Sequence, residues 1–173
     1  MTDDASQDGL RAVSLLFSYP DASWSAMPIP QGLAKEARAV FEEMRGYDRA
    51  TLESEYIRLF VNSMPEVPCP PYGSVYLEGT VMGESTLKVA AIYRHYGLAP
   101  QEVADHLAVE AEFLAWLHGR IDTTGEDRER FEFLLGHLRH WTAEFFASVE
   151  RHDRLGCYRQ AALAAKRILE HID

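Results

Sequence analysis

Apolar residues recur every three or four positions along most of this chain, which is the spacing that places side chains on one face of an α-helix. No segment alternates apolar and polar residues over the length of a paired β-strand. The pattern therefore predicts an all-α fold: a single globular bundle of about six or seven helices, with residues 1–173 forming one domain. In chain order, the apolar faces are marked by Leu10, Val13, Leu16 and Phe17; Leu33, Ala37, Val40, Phe41 and Met44; Leu52, Tyr56, Leu59 and Phe60; Leu87, Ala91 and Ile92; Val103, Leu107, Ala111, Leu114 and Leu117; Phe131, Leu134, Leu138, Trp141, Phe145 and Val149; and Tyr158, Ala161, Ala165, Ile168 and Ile172.

Capping and turn-forming residues indicate where these helices begin and end. Asp48 and Ser85 stand where a side-chain oxygen would cap the third and fourth helices. Pro100 fits the first turn of the fifth helix, where its missing N–H is not needed. Residues 21–31 are rich in turn formers, and glycines bracket a break at 119–125. We expect turns or loops in both stretches.

A proline-rich loop occupies the centre of the chain. Four prolines, at positions 65, 68, 70 and 71, follow a helix that ends near Phe60 and precede the aromatic segment Tyr72–Glu78. Prolines stiffen the backbone and leave carbonyl groups without competing N–H donors. The run Val75–Leu77 is the one strand candidate, and it has no evident partner strand. We expect a stiff loop that presents aromatic surface beside a helix.

The charge of the chain narrows the range of partners. Its 173 residues carry a formal net charge of −10, which disfavours nucleic acids and anionic membranes and favours cationic partners, although solubility alone also explains it. Cys69 and Cys157 form no metal-binding or disulfide framework. The acidic residues at 3 and 4 exclude a signal peptide, and no run of about 18 apolar residues occurs. We expect a cytoplasmic protein without membrane insertion or a nucleic-acid partner.

Motifs for catalysis and cofactor binding are not evident, so we expect neither an enzyme nor a bound cofactor. The sequence contains no GxGxxG, GxxxxGK, HExxH or Glu-x-x-His motif. His137, His140 and Glu144 share a helical face at spacings that suit a metal ion. A polar helix face explains the same pattern and is the interpretation we favour. His106 and Glu110 form a weaker pair of the same kind.

Residues on both sides of the proline loop are candidates for binding an apolar peptide. Tyr56, Leu59 and Phe60 lie on one helical face, which fits either the protein core or the wall of a groove. Tyr72 and Tyr76 add large, rigid rings with polar tips. Together these residues could accept a helical or extended peptide segment.

Asp105 and His106 precede the apolar run of the fifth helix. An aspartate near a helix N-terminus is favoured by the helix dipole, which is a structural explanation for Asp105. The alternative is that Asp105, together with Glu78 and Glu102, binds a guanidinium group, because carboxylates pair with arginine in a defined bidentate geometry.

The segment from Tyr56 to Thr86 resembles the TorD/DmsD/NarJ family of redox-enzyme maturation chaperones, and the order and spacing agree best with the TorD/DmsD branch. The resemblance spans most of the chain, roughly Leu10 to Ala165. The matching motifs are Tyr56-x-x-Leu59-Phe60, Pro70-Pro71-Tyr72-Gly73-Ser74-Val75-Tyr76-Leu77, Gly83-Glu84-Ser85-Thr86 and Asp105-His106.

The resemblance implies an all-helical, non-enzymatic chaperone. Members of this family bind the twin-arginine signal peptide of a molybdoenzyme catalytic subunit and delay export until the cofactor is inserted. The NarJ branch instead serves a subunit that stays in the cytoplasm. A monomer or a domain-swapped dimer is expected, with the break at 119–125 as the candidate hinge. The residues to which the resemblance assigns peptide binding are Tyr56, Leu59, Phe60, Tyr72, Tyr76, Asp105 and His106.

Overall fold

The computed structural model describes residues 3–29, 32–33, 35–121 and 125–172. Within these ranges the chain forms nine α-helices and one π-helical turn, and no β-strand, so the all-α prediction is confirmed. The helices are α1 Asp3–Leu16, α2 Ala22–Ala26, α3 Lys35–Arg45, α4 Arg49–Tyr56, α5 Gly73–Glu78, α6 Glu84–His95, α7 Leu107–His118, α8 Glu126–His152 and α9 Cys157–Glu170.

Helix α1 has a central position in the bundle. It packs along α7 and also contacts α3 and α9. Helix α8 lies against α5, α7 and α9, and the short α5 contacts α6. None of the described helices combines the length and apolar character needed to cross a membrane.

Two short helices form where the sequence pattern indicated no helix. One replaces a predicted turn, and the other replaces the strand candidate. Residues 22–26 form α2 rather than a turn, because the Asp21 carboxylate accepts the Trp24 N–H at 2.8 Å and the Trp24 ring is buried. Residues 30 and 31 of the same stretch lie outside the described residues. Val75–Leu77, the strand candidate, belongs to α5, so the strand interpretation is wrong.

Helix boundaries follow the predicted caps in one case and not in two others. Asp48 accepts the Thr51 N–H at 3.2 Å and caps α4, as expected. Helix α6 begins one residue before Ser85, and the Glu78 carboxylate accepts the Ser85 N–H at 2.8 Å. Pro100 lies in the loop before α7 and not in its first turn, because α7 begins only at Leu107.

The centre of the core is a set of aromatic rings in edge-to-face contact. Tyr56 and Phe60 have ring centroids 4.9 Å apart, and Phe60 and Tyr158 are 5.3 Å apart. Phe17 meets Phe145 at 5.5 Å. These rings join α1, α4, α8 and α9, so burial of their large apolar surfaces holds the two ends of the chain together.

We expect Phe60→Ala to destabilise the protein by about 3–5 kcal/mol, because Phe60 is 3 % exposed and its removal leaves a cavity in the core. Urea unfolding followed by circular dichroism measures the change. Phe133→Ala is the matched control, since the Phe133 side chain is 49 % exposed on α8. Equal effects of the two substitutions would contradict the assignment of Phe60 to the core.

Candidate functional site

The first group of predicted site residues lies mainly inside the protein. α4 continues into a π-helical turn, Ile57–Val61, which holds one more residue per turn than an α-helix. Leu59 and Phe60 are buried there, and Ile57 and Val61 face outward. Tyr56 is buried as well and donates its hydroxyl to the Phe17 carbonyl at 3.1 Å, but its ring also borders a surface cavity.

The proline loop is tied to its surroundings through its own carbonyl groups. The Ser148 hydroxyl donates to the Pro68 carbonyl at 2.9 Å, and the Leu107 N–H donates to the Pro71 carbonyl at 2.9 Å. The Cys69 N–H donates to the Leu59 carbonyl at 2.9 Å. The carbonyl groups of Pro68 and Pro71 therefore already accept hydrogen bonds within the protein.

Tyr72 and His106 are brought together by a short antiparallel bridge. The Gly73 N–H donates to the Asp105 carbonyl at 3.0 Å, next to the bond between Leu107 and Pro71. The rings of Tyr72 and His106 meet edge to face with centroids 5.4 Å apart. Two residues that are far apart in the sequence thus form one corner of the site.

Asp105 is completely buried, and its carboxylate accepts the Ser74 N–H at 2.6 Å. The Asp105 carboxylate therefore accepts a backbone N–H in the first turn of α5. The N-cap of α7 is His106, whose Nδ1 accepts the Ala108 N–H at 3.1 Å. In this arrangement Asp105 cannot contact a guanidinium group outside the protein. Glu78 is exposed but accepts the Ser85 N–H at the start of α6. Glu102 is exposed beside the corner and accepts the Val103 N–H at 2.9 Å.

Tyr76 lies on α5 and stacks on Trp141, with centroids 5.7 Å apart and planes 19° apart. Its ring also meets Phe145 edge to face. Burial strongly raises the pKa of the Tyr76 hydroxyl. Tyr76 thus fixes α5 onto α8 and is only partly accessible.

Gly73 is required by a close approach between α5 and α8. A Cβ atom on Gly73 would lie 2.8 Å from Trp141 Nε1 and 3.0 Å from His137 Cε1. Trp141 is fully enclosed by the core, so it has no room to move aside. Glycine is thus the residue that lets α5 pack at this distance.

We expect Gly73→Ala to lower the free energy of unfolding by about 1–3 kcal/mol, because the added methyl group overpacks the contact with Trp141. Gly136→Ala is the control: Gly136 lies inside α8 with open space around it, and alanine there should stabilise the helix by about 0.5–1 kcal/mol. Opposite signs in urea unfolding are the expected result, and a stabilised Gly73→Ala variant would contradict the close approach.

A buried acid–histidine pair lies beneath α5. His137 Nδ1 is 2.7 Å from Glu110 Oε1, and Glu110 is completely buried. Burial raises the pKa of Glu110. Burial acts against a charged His137, but the hydrogen bond and charge of Glu110 prevail and raise the pKa of His137. The two groups share a proton across a contact between α7 and α8.

This pair bears on two alternatives that helical spacing left open. His137 points inward to Glu110, while His140 and Glu144 are exposed, so the three do not form a metal site. No group of three metal-ligating side chains is found within the described ranges. Glu110 pairs with His137 and not with His106, whose ring nitrogen is used as a helix cap.

We expect the stability of the protein to fall as the pH rises above the ordinary pKa of glutamate, about 4.3, and further above that of histidine, about 6.5. Both pKa values are raised in the folded state, so the unfolded chain loses these protons first and each deprotonation favours unfolding. Urea unfolding at a series of pH values measures the slope. Glu110→Gln removes one titrating group and lowers the pKa of the other, so its curve should be flatter. Parallel curves for the two proteins would contradict the shared proton.

The main accessible feature near these residues is a groove along the outer face of α7, which we call the α7 groove. It consists of three adjoining cavities of about 310, 530 and 220 Å³ that all have Glu112 in their walls. Val109 and Trp116 provide apolar floor, and Leu98 and Pro100 of the preceding loop add an apolar rim. Arg120 stacks over Trp116 at 4.6 Å at the far end.

Spacing along the core faces did not identify the residues of this groove. The sequence nevertheless contained an indication of the groove. Apolar residues lie on all sides of the 12-residue helix α7, and only part of a helix can face the core, so some of these residues remain at the surface. Val109 and Trp116 lie off the core face with Glu112 between them. Two of the predicted residues, Tyr56 and His106, also border the smallest of the three cavities.

The described part of the chain is thus an all-α bundle with a largely apolar surface groove, whose charged residues include Glu102, Glu112, Arg11 and Arg120. The sequence model of the nitrate reductase delta subunit family matches residues 28–147. The chain belongs to this family, and its resemblance to the redox-enzyme maturation chaperones is confirmed.

Two relatives and one solved structure agree with this assignment. The chain is 29 % identical over 159 residues to the chlorate reductase assembly chaperone protein of Ideonella dechloratans, covering 84 % of this chain and 77 % of the relative. It is 28 % identical over 181 aligned positions to the selenate reductase assembly chaperone protein of Thauera selenatis, covering 96 % and 87 %. The crystal structure of a proposed redox enzyme maturation protein from Archaeoglobus fulgidus matches with a TM-score of 0.64 and 31 % identity, covering 95 % and 93 %. These relatives are named as assembly proteins, and the chain is not an enzyme.

Proposed function

We propose that this protein is a cytoplasmic chaperone that binds the apo form of a molybdoenzyme catalytic subunit through its N-terminal twin-arginine signal peptide. In this role it holds the subunit until the cofactor is inserted and prevents premature export. Support comes from family membership and from the names of the chlorate and selenate reductase relatives. The chain acts as a single domain, as a monomer or as a domain-swapped dimer.

The α7 groove is the observation that carries this proposal. A twin-arginine signal peptide is cationic and then apolar. The end of the groove near the start of α7 combines exposed carboxylates with an apolar floor, whereas Arg11 and Arg120 line the opposite end. The net charge of −10 favours the approach of such a peptide over long range. The groove offers this complementarity at the surface, whereas Leu59 and Phe60 would have to leave the core to do so.

The energies required are within the range that such a groove can supply. A micromolar complex corresponds to about −8 kcal/mol. Each leucine buried in the groove contributes roughly 1.5–3 kcal/mol, while ordering a flexible peptide costs about 2–5 kcal/mol. At the middle of both ranges, about five buried apolar side chains offset the ordering cost and leave about −8 kcal/mol, without a large contribution from the charges.

A second candidate is a chaperone for a molybdoenzyme subunit that remains in the cytoplasm. The family match favours it, since the family is named for the delta subunit of nitrate reductase. In that case the groove binds a client N-terminus that carries no export signal. The presence or absence of a twin-arginine leader on the captured subunit separates the two candidates.

We expect Leu98→Asp to reduce capture of the client at least tenfold, because it places a charge on the apolar rim of the α7 groove. Leu98 is 40 % exposed, so the substitution should leave the fold intact. The measurement is affinity capture from the native cytoplasm, followed by mass spectrometry of the bound proteins.

Leu87→Asp is the matched control for this experiment. Leu87 is 62 % exposed on α6 and does not border the groove, so this variant should capture as much client as the unmodified protein. Recovery of a molybdoenzyme subunit by the Leu87→Asp variant but not by the Leu98→Asp variant supports the proposal. If the unmodified protein captures no molybdoenzyme subunit while that enzyme is being produced, the proposed function is wrong.

A further inference from the structure

A second apolar surface lies on α6 and on the turn that precedes it. Nine large apolar side chains are exposed in the described part of the chain, and three of them fall between positions 81 and 87. Val81 is 47 % exposed, Met82 is 68 % exposed and Leu87 is 62 % exposed. Single exposed apolar side chains are normal, but a cluster of them indicates an interaction site.

The exposed residues of α6 share one side of the helix, because they recur every three or four positions. The opposite side is buried through Thr86, Val89 and Tyr93. The helix that α6 contacts most is the short α5. The outer side of α6 therefore faces solvent, and together with Val81 and Met82 we call it the α6 face. Its residues on the helix are Glu84, Leu87, Lys88, Ala91, Arg94 and His95.

The backbone at Met82 holds an exposed apolar residue in an unfavourable conformation. Its φ is 64°, in the left-handed region where a Cβ atom crowds the neighbouring backbone. Met82 is the one non-glycine residue with positive φ in the part of the chain that the structure describes. Backbone strain of this kind persists only where the surrounding structure imposes it, and it is concentrated at functional sites. It is a second indication, independent of exposure, that this surface has a function.

The charges along α6 make the helix complementary to a copy of itself that runs in the opposite direction. Its first turn is acidic, with Glu84, and its last turn is basic, with Arg94 and His95. Glu84 is 2.9 Å from Lys88, whereas no ion pair within the described ranges includes Arg94. An antiparallel copy would place each acidic end beside a basic end and the positive end of each helix dipole beside a negative end.

Two-fold symmetry defines the contacts of such a pair, because the same surface is used on both copies. With the axis at the level of Val89, Leu87 lies against the partner's Ala91, so a large side chain meets a small one. Glu84 then lies beside the partner's Arg94, since positions 84 and 94 are also centred on 89. The apolar turn before α6 reaches the turn that follows the partner's α6. Each of these contacts occurs twice.

One electrostatic effect opposes self-association, namely the net charge of −10 on each copy. Salt screens this repulsion between exposed charges beyond about 8 Å at physiological ionic strength. Helix α6 itself is not acidic, because Glu84 is its one acidic residue and Lys88 and Arg94 are both basic. The α6 face is therefore a place where two acidic copies can approach each other without local repulsion.

We propose that the α6 face is a self-association surface, through which two copies of the chain pair antiparallel about a two-fold axis near Val89. Each copy keeps all of its own helices, so the pair is not a domain swap. A helix of 12 residues is about 18 Å long, so the interface is smaller than the roughly 800 Å² per partner of a stable complex. Pairing is therefore weak: the chain is monomeric when dilute and paired when concentrated. This inference goes beyond the proposed function and does not depend on it.

Sedimentation equilibrium tests the pairing. We expect the average mass of the unmodified protein to rise from 19.6 kDa toward twice that value between about 10 μM and about 1 mM protein, at physiological salt. Leu87→Asp should stay monomeric throughout, because it places a charge inside the contact. Phe133→Asp is the matched control, since Phe133 is 49 % exposed on α8, and this variant should pair like the unmodified protein. A monomer at every concentration of the unmodified protein overturns the proposal.

Exchanged charges test the antiparallel register. Glu84→Arg and Arg94→Glu should each weaken pairing about fivefold, because each places like charges side by side twice in the pair. The Glu84→Arg, Arg94→Glu double variant restores opposite charges across the axis, and its pairing should recover to within about twofold of the unmodified protein. Circular dichroism verifies that each variant keeps its helices. If the double variant does not recover, the two residues do not meet and the antiparallel pair is overturned.

Met82→Gly separates loss of pairing from loss of folding. Glycine adopts a φ of 64° without strain, so this variant should not lose stability in urea unfolding. It does lose an apolar side chain from the contact, so its pairing should weaken at least threefold. Unchanged pairing would contradict the placement of the turn before α6 in the contact.

The remaining outcomes identify a different occupant or a different kind of dimer. If Leu87→Asp captures less client than the unmodified protein, the α6 face binds the client and the proposal is overturned. If Leu87→Asp still forms a dimer, and that dimer survives dilution, it is a domain swap and the proposal is again overturned. Loss of pairing in Leu87→Asp, with client capture retained, supports the inference and leaves the proposed function unaffected.

Discussion

The hydrogen bonds between the start of α5 and the start of α7 are the constraint on which the site depends. Asp105 uses both its carbonyl and its carboxylate on consecutive N–H groups, those of Gly73 and Ser74. The proline loop cannot move away from α7 without leaving a buried carboxylate unpaired, which is costly in a protein interior. The bridge therefore fixes Tyr72 beside His106, and through His106 it fixes the first turn of α7 and the near end of the groove.

The interior beneath this bridge contains charge that most small helical bundles avoid. Glu110 and His137 meet where α5, α7 and α8 converge, close to the tight contact at Gly73. Such a pair contributes little net stability compared with apolar packing, but removing one partner leaves the other buried and uncompensated. Its effect is specificity: α7 and α8 are held in one register, and the outer face of α7 is thereby held in one orientation.

The helical faces could be predicted from the sequence because each depends only on neighbours three and four positions away. What the sequence could not provide was the pairing of polar groups across the fold. Asp105 and Ser74 are 31 positions apart, and Glu110 and His137 are 27 apart, and for Glu110 and His137 local spacing suggested other partners. Helix α2 has five residues and α5 has six, and both are too short to show a periodic face. Two motif residues, Tyr56 and His106, border the α7 groove, but Leu59 and Phe60 could not be assigned to core or groove from their spacing.

The placement of α1 has a consequence for the order in which the groove is assembled. One wall of the groove is α1, and α1 is held between α7 and α9, which both lie in the second half of the chain. Contacts between such distant segments form late in folding, after the loops between them have closed. A growing chain therefore presents no complete groove, and a chain that lacks α9 would lose a support of that wall. The groove is therefore complete only after α7 and α9 have docked on α1, late in folding.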